Sequence, residues 1–223
     1  MKNLHIPFLI KNQLPVIEKD NLYFDLEEAC KSHQCPVCLL LGKREKRYID
    51  SIFYENVNDP GLRNKFRRAG GLCKSHTKLF LEIGDMLGLT IIAKDLLLQF
   101  IENPKAAAGA AECPLCLDYR ESERRMIRAF ARDLTIEEFW KALDKSVGLC
   151  REHFRAILEI LSSKTLQTRL IAFEKEKLQT QLVHLNSFIR KNDYRFQEEK
   201  ITAEESRAIR LVWRFLRKEK PQR

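Results

Sequence analysis

Cys35-Pro36-Val37-Cys38 recurs as Cys113-Pro114-Leu115-Cys116, 78 residues later, and Gly71-Leu72-Cys73-Lys74-Ser75-His76 recurs as Gly148-Leu149-Cys150-Arg151-Glu152-His153, 77 residues later. The order, the internal spacing and the separation all repeat with a single-residue slip, which marks a tandem duplication. Apolar positions between the motifs keep the same register. Leu39, Ile49 and Ile52 correspond to Leu117, Ile127 and Phe130, and Leu62 and Phe66 to Phe139 and Leu143. Leu81 and Ile83 correspond to Leu158 and Ile160, so the repeated unit is expected to be a structural one.

Each unit reads as helical. Leu41, Tyr48, Ile49 and Ile52 share one helix face, and Pro36 suits the first turn, where its missing N–H costs nothing. A second helix starts near Cys73 or Cys150, each preceded by a glycine able to make the turn. Leu79, Phe80, Ile83 and Leu87 give that helix an apolar stripe, with Gly84 and Gly88 as points of interruption. Asn103-Pro104-Lys105 and the alanines that follow form the seam between copies. In the C-terminal third, Ile171, Leu178, Leu182, Leu185 and Ile189 follow a partial heptad on a long helix from near Ser163 to Arg190. Asn192-Asp193-Tyr194 breaks it, and Thr202 with Glu205 forms a capping box for a last helix, whose inward stripe is read as Ile209, Val212, Trp213 and Leu216. No alternating strand pattern occurs. The expectation is an all-α fold: an N-terminal arm over 1–29, metal-stapled repeats over 30–104 and 105–163, and a C-terminal helical hairpin over 164–223 packed on the repeats.

A Cys-x-x-Cys turn brings two sulfurs to one ion, and Cys-x-x-His at a helix start brings a sulfur and a nitrogen. Two such pairs complete the closed tetrahedron of structural zinc. Helix N-termini favour the thiolate form. Pairing within each copy gives site one as Cys35, Cys38, Cys73 and His76, and site two as Cys113, Cys116, Cys150 and His153. The gap of about 34 residues between pairs exceeds ordinary zinc-finger spacing, but both copies keep it. Two zinc ions per chain are expected; an iron–sulfur cluster or redox thiols using the same cysteines are the alternatives. Cys30 has no counterpart in the second copy, where Ala108 stands, and is read as a buried small residue rather than a ligand. His5 and His184 are read as ordinary histidines.

An Ile-Pro near the start, Cys-Pro-x-Cys and then Gly-x-Cys-x-x-His, both repeated, resemble a family of prokaryotic proteins known only as a domain of unknown function. Asp59-Pro60 with Arg63, Leu87-Gly88-Leu89 and Lys191-Asn192-Asp193-Tyr194-Arg195 look like further parts of that pattern. The resemblance covers most of the chain and implies a shared fold and shared metal ligands. It implies no activity.

The 223 residues are 44% hydrophobic and 32% charged, enough for a core under a well-solvated surface. No run approaches the length of a membrane span, and the short apolar stretch Ile6-Pro7-Phe8-Leu9-Ile10 leads into no cleavage site, so a cytoplasmic location is expected. Seven cysteines in a reducing compartment read as ligands rather than disulfides. No phosphate loop, nucleophile elbow or His-Glu-x-x-His occurs, and four protein ligands leave no open metal position. The reading is therefore a non-catalytic binding or structural protein. The net charge of +9 admits nucleic acid, and Arg207, Arg210, Arg214 and Arg217 form a row on the last helix suited to phosphate. Lys65, Arg67 and Arg68, and Arg120, Arg124, Arg125, Arg128 and Arg132, are further basic clusters. The other partner class is a protein docked by the C-terminal helices. Leu211 and Phe215, outside the inward stripe, need either that partner or the long helix as cover.

Overall fold

Cys35, Cys73, Cys113 and Cys150 each occupy the N-cap of a helix in the computed structural model, which describes residues 19–104, 111–196 and 198–217. The helices are α1 (Asn21–Ala29), α2 (Pro36–Ser51), α3 (Pro60–Ala69), α4 (Lys74–Ile83), α5 (Met86–Glu102), α6 (Pro114–Asp133), α7 (Glu137–Leu143), α8 (Arg151–Ile160), α9 (Lys164–Lys191) and α10 (Ala203–Leu216). A π-helical turn, Ile52–Asn56, extends α2, and the described residues contain no strand. The fold is all-α. Polar caps set several starts: Asp20, Asp59, Asp85 and Ser163 each accept from a first-turn N–H. Thr202 and Glu205 form the reciprocal capping box expected of α10.

Two apolar clusters show how the copies pack. The first joins Val37, Leu40 and Leu41 at the start of α2 to Met126, Ala129 and Phe130 at the end of α6. The second joins Ile49 and Ile52 from the end of α2 and its π turn to Cys113, Leu115 and Cys116 at the start of α6. The two helices therefore lie antiparallel, and Arg44 reaches Ser122, its own counterpart in the other copy, at their crossing. A duplicated unit meeting itself in this way has the relation of a two-fold axis. The N-terminal helix α1 packs on both, with Tyr23, Leu26 and Ala29 fully buried in the first cluster.

The correspondence between copies runs on past residue 163. The caps Asp85 and Ser163 start α5 and α9 at equivalent places, and Ile92 and Leu170 are both buried. Against the heptad reading of α9, Ile171, Leu182 and Ile189 are exposed, while Leu170, Phe173 and Glu174 face inward, because the core beneath α7 and α8 sets the phase. On α10 the inward stripe is also displaced: Glu205 and Ala208 are buried, Trp213 is 70% exposed, and Leu216 is exposed. Leu211, Val212 and Phe215 are half-buried and line a cavity with Leu178 and Gln181 of α9, the helix on which α10 packs. In the short helices the buried counterparts are Phe80 and Ile157, not Leu81 with Leu158 or Ile83 with Ile160, since α4 and α8 point the histidine four residues earlier inward. Most of the seam after Pro104, with Ala108, and the N-terminal stretch with His5 lie outside the described residues.

Gly84 ends α4, and Leu87 consequently belongs to α5, where it is exposed. The glycine is required by the Phe53 ring, which lies on Phe80 with centroids 4.5 Å apart. A Cβ at Gly84 would fall 2.7 Å from Phe53 Cε2 and 2.8 Å from the Phe80 carbonyl oxygen. Gly42, inside α2, has nothing within 4 Å of its Cβ position. Thermal or urea melts should show Gly84→Ala destabilised by about 1–3 kcal/mol from overpacking. Gly42→Ala should be neutral or stabilised by up to about 1 kcal/mol, the helix-propensity gain.

Candidate metal centres

In each ligand pair the first cysteine is the N-cap and the second ligand, Cys38, His76, Cys116 or His153, lies at N3 of the same helix. N-cap and N3 side chains face one another across the first turn, the relation a capping box uses. Here none of the four cysteines makes a cap hydrogen bond, so the sulfurs are available to something else. The backbone is reproduced between copies: Cys35 and Cys113 have φ/ψ of −51/125 and −50/123, and Cys73 and Cys150 have −68/162 and −74/159. Gly71 and Gly148, two residues before the second pair, have φ of +113 and +90, which only glycine adopts without strain.

The pairs meet across the copies, not within them. Cys35 and Cys38 group with Cys150 and His153, and Cys113 and Cys116 group with Cys73 and His76. The in-copy assignment of sites one and two is thereby corrected, although all eight residues fall into the two groups. The physical reason is the antiparallel α2/α6 pair. Helix α4 packs on α2 and α8 on α6. His76 reaches Glu45 of α2, seven residues beyond Cys38, a rise of about 10 Å along the helix. That places the Cys73 pair away from the start of α2 and beside the start of α6; the converse holds for His153 and Glu123.

The donor atoms fit a tetrahedron. Zinc–sulfur and zinc–nitrogen bonds of about 2.3 and 2.0–2.1 Å give edges of about 3.8 Å between sulfurs and about 3.5 Å from sulfur to nitrogen. In the first centre Cys38 and Cys150 sulfurs are 3.6 Å apart, and His153 Nδ1 lies 3.5, 3.3 and 3.1 Å from Cys35, Cys38 and Cys150. In the second, Cys73 and Cys116 sulfurs are 3.6 Å apart, and His76 Nδ1 lies 3.5, 3.2 and 3.1 Å from Cys113, Cys116 and Cys73. Each set could hold one ion.

Behind each imidazole stands a carboxylate. His76 Nε2 is 2.8 Å from Glu45 and His153 Nε2 is 3.1 Å from Glu123, and these two glutamates are themselves repeat counterparts. A carboxylate on the far ring nitrogen fixes the tautomer that leaves Nδ1 free to ligate. The sequence reading missed both, although Cys38 and Cys116 are each followed at the same spacing by Glu45 and Glu123, two turns along the same helix face. It also missed Glu174 of α9, a buried carboxylate that accepts from the Leu149 N–H at 3.1 Å and packs on Gly148. Burial raises Glu174 to about 7.

The thiols and imidazoles perturb one another strongly. Burial, then the Cys150 and Cys38 sulfurs, push the Cys35 thiol far up. Burial also works to raise Cys113, but the hydrogen bond from His76 brings it down to about 6. Burial opposes charge on His76, yet its bonds to Cys113, Glu45 and Cys73 hold it up at about 10. A cation in place of these protons would let all three sulfurs of a centre ionise together.

Cys30 belongs to neither group; it is fully buried beside Cys35, and burial pushes its thiol up to about 12. His184 joins neither. Among the basic residues, Arg132 pairs with Asp20 and Asp133, Arg120 with Glu112, and Arg67 with Asp95. Arg207 lies 3.5 Å from His33, and Glu199 pairs with Arg190 rather than with the α10 row. Within the motif parts shared with the resembled family, Asp59 caps α3, Arg63 pairs with Asp95, and Asp193 binds Arg195. No described helix is long and apolar enough to cross a membrane.

No solved structure matches the chain. Residues 19–111 match the model of a family of unknown function (DUF6062). An uncharacterized 23.9 kDa protein in the xynA 3′ region of Caldicellulosiruptor sp. (strain Rt8B.4) is 31% identical over 198 residues, which are 85% of this chain and 97% of the relative. The chain therefore belongs to this family of unknown function.

Proposed function

We propose that the protein is a non-catalytic helical scaffold stapled by two structural zinc ions, each held by three cysteines and one histidine. The observation that carries this is the pair of four-donor sets, each with all its donor atoms within 4.8 Å of one another and its histidine nitrogen 3.1–3.5 Å from three sulfurs, and each backed by its own carboxylate. Four protein ligands close the coordination sphere and leave no position for a substrate or an activated water, as catalytic zinc requires. Each centre bridges two helix starts from different copies, so the ions lock the copies together. Apparent zinc affinities at such sites reach about 10–16 kcal/mol, comparable to the stability of a whole domain.

Elemental analysis of untagged protein should find two zinc ions per chain and a colourless solution. Iron with visible absorption would replace this reading by the iron–sulfur alternative. Glu45→Gln and Glu123→Gln should each weaken one ion by about 10–100-fold in competition with a chelator, the usual effect of losing the carboxylate behind a ligating histidine. Cys30→Ser should keep both ions; loss of either would make Cys30 part of a centre.

Nucleic-acid association is the second reading, favoured by one feature of α10. Arg210 and Arg214 have no carboxylate partner among the described residues, and the exposed Trp213 lies between them. Guanidiniums suit phosphate, and an exposed indole offers a stacking face to a base. Titration with a single-stranded oligonucleotide should give binding that weakens steeply with salt. A triple Arg210→Gln, Arg214→Gln, Trp213→Ala variant should lose most of it. No binding at low salt would leave a protein partner as the role of this helix.

A further inference from the structure

Helix α5 is apolar on the wrong side for a monomer. Gly88 and Ile92 face the core, whereas Met86, Leu87, Leu97, Leu98, Phe100 and Ile101 point outward, with Met86 79% and Leu87 71% exposed. Among the described residues nothing covers them. A surface helix ordinarily shows water a polar face.

The duplication supplies an internal control. Helix α9 occupies the equivalent place in the second copy, and its outward positions are exposed in the same register. Met86, Leu87, Leu97, Leu98 and Ile101 correspond there to Lys164, Thr165, Lys175, Glu176 and Gln179. Ile171, the counterpart of Ala93, stays apolar, and so does Leu178, the counterpart of Phe100, which lines a cavity with Leu211 and Phe215 of α10. The fold thus accepts a polar helix at this place, and the apolar face of α5 serves something other than folding.

We propose that this face binds a second copy of the same chain, with the two α5 helices antiparallel across a two-fold axis near Ala93. Three observations favour this occupant. Met86, Thr90, Ala93, Leu97 and Phe100 follow the four-three spacing of a coiled-coil seam. The seam is close to self-complementary: turned about Ala93, Met86 meets Phe100 of the second copy, and the smaller Thr90 falls within one residue of its Leu97, as an isologous contact requires. The exposed apolar side chains of α5 present roughly 700 Å², near the ~800 Å² per partner of a standard stable interface. The small residues at the centre allow the two backbones to approach closely.

The test is sedimentation equilibrium of the metal-loaded full chain over a micromolar dilution series. The expected result is a species of twice the 26.2 kDa chain mass. Leu97→Glu and Ala93→Arg should shift it to the single-chain mass with unchanged circular dichroism and metal content, because both positions are exposed. Ile171→Glu, at the equivalent place on α9, should remain a dimer. A parent that is a single chain at every concentration overturns the proposal and assigns the face to residues 1–18 or to a foreign protein. A dimer that survives both α5 substitutions also overturns it, since the interface would then lie elsewhere. Neither result bears on the metal reading, which is scored by metal content alone.

Discussion

Tetrahedral binding needs four donors at the corners of a figure less than 4 Å on an edge, and the first turn of one helix offers only two. Two helix starts must therefore be brought together at each centre, and the rest of this fold follows from how that is done. The antiparallel crossing of α2 and α6 carries the start of each to the far end of the other. Helices α4 and α8, packed on α2 and α6, then deliver their Cys-x-x-His starts to the opposite copy. Neither copy can complete a centre by itself. The partial positive charge of two helix N-termini at each site favours the three thiolates, and the paired Glu45 and Glu123 carboxylates align the imidazoles from behind.

The reciprocity makes the chain resemble a dimer fused into one polypeptide. A contact between two equal surfaces closes on itself, so the α2 and α6 surfaces are satisfied within the one chain. The copies are most alike at the centres and differ most on the outer helices. Around the centres, the φ/ψ values of the ligating cysteines agree within a few degrees. On the outer helices the chemistry differs: α9 is long, polar and covered at its far end by α10, while α5 stops at Glu102 with an apolar outer face.

The ligand types were legible in the sequence because their chemistry is local. Cysteine at an N-cap with a second ligand three residues on is a property of one turn, and the repeat exposed it twice. The capping box at Thr202 was readable for the same reason. The pairing was not readable, because it depends on the direction in which α2 crosses α6, a tertiary fact with no local signal. The same limit explains α9, where Ile171, Leu182 and Ile189 keep a heptad spacing but face outward. Leu170 and Phe173, one position out of that phase, meet the core that α7 and α8 had already fixed. Glu45 and Glu123 stand between these cases: the repeat displayed them, but only their place behind the histidines gives them meaning.

The central claim is that the two copies exchange ligands, and metal counting in paired substitutions tests it most directly. Under exchange, Cys35→Ser with Cys150→Ser damages a single centre, so the chain retains one ion. Cys35→Ser with Cys73→Ser damages both, and the chain retains none. The account predicts that order in elemental analysis of the two purified double variants. The reverse order, with the Cys35 and Cys73 pair keeping one ion and the Cys35 and Cys150 pair keeping none, would show that each copy closes its own site and would contradict the crossed architecture.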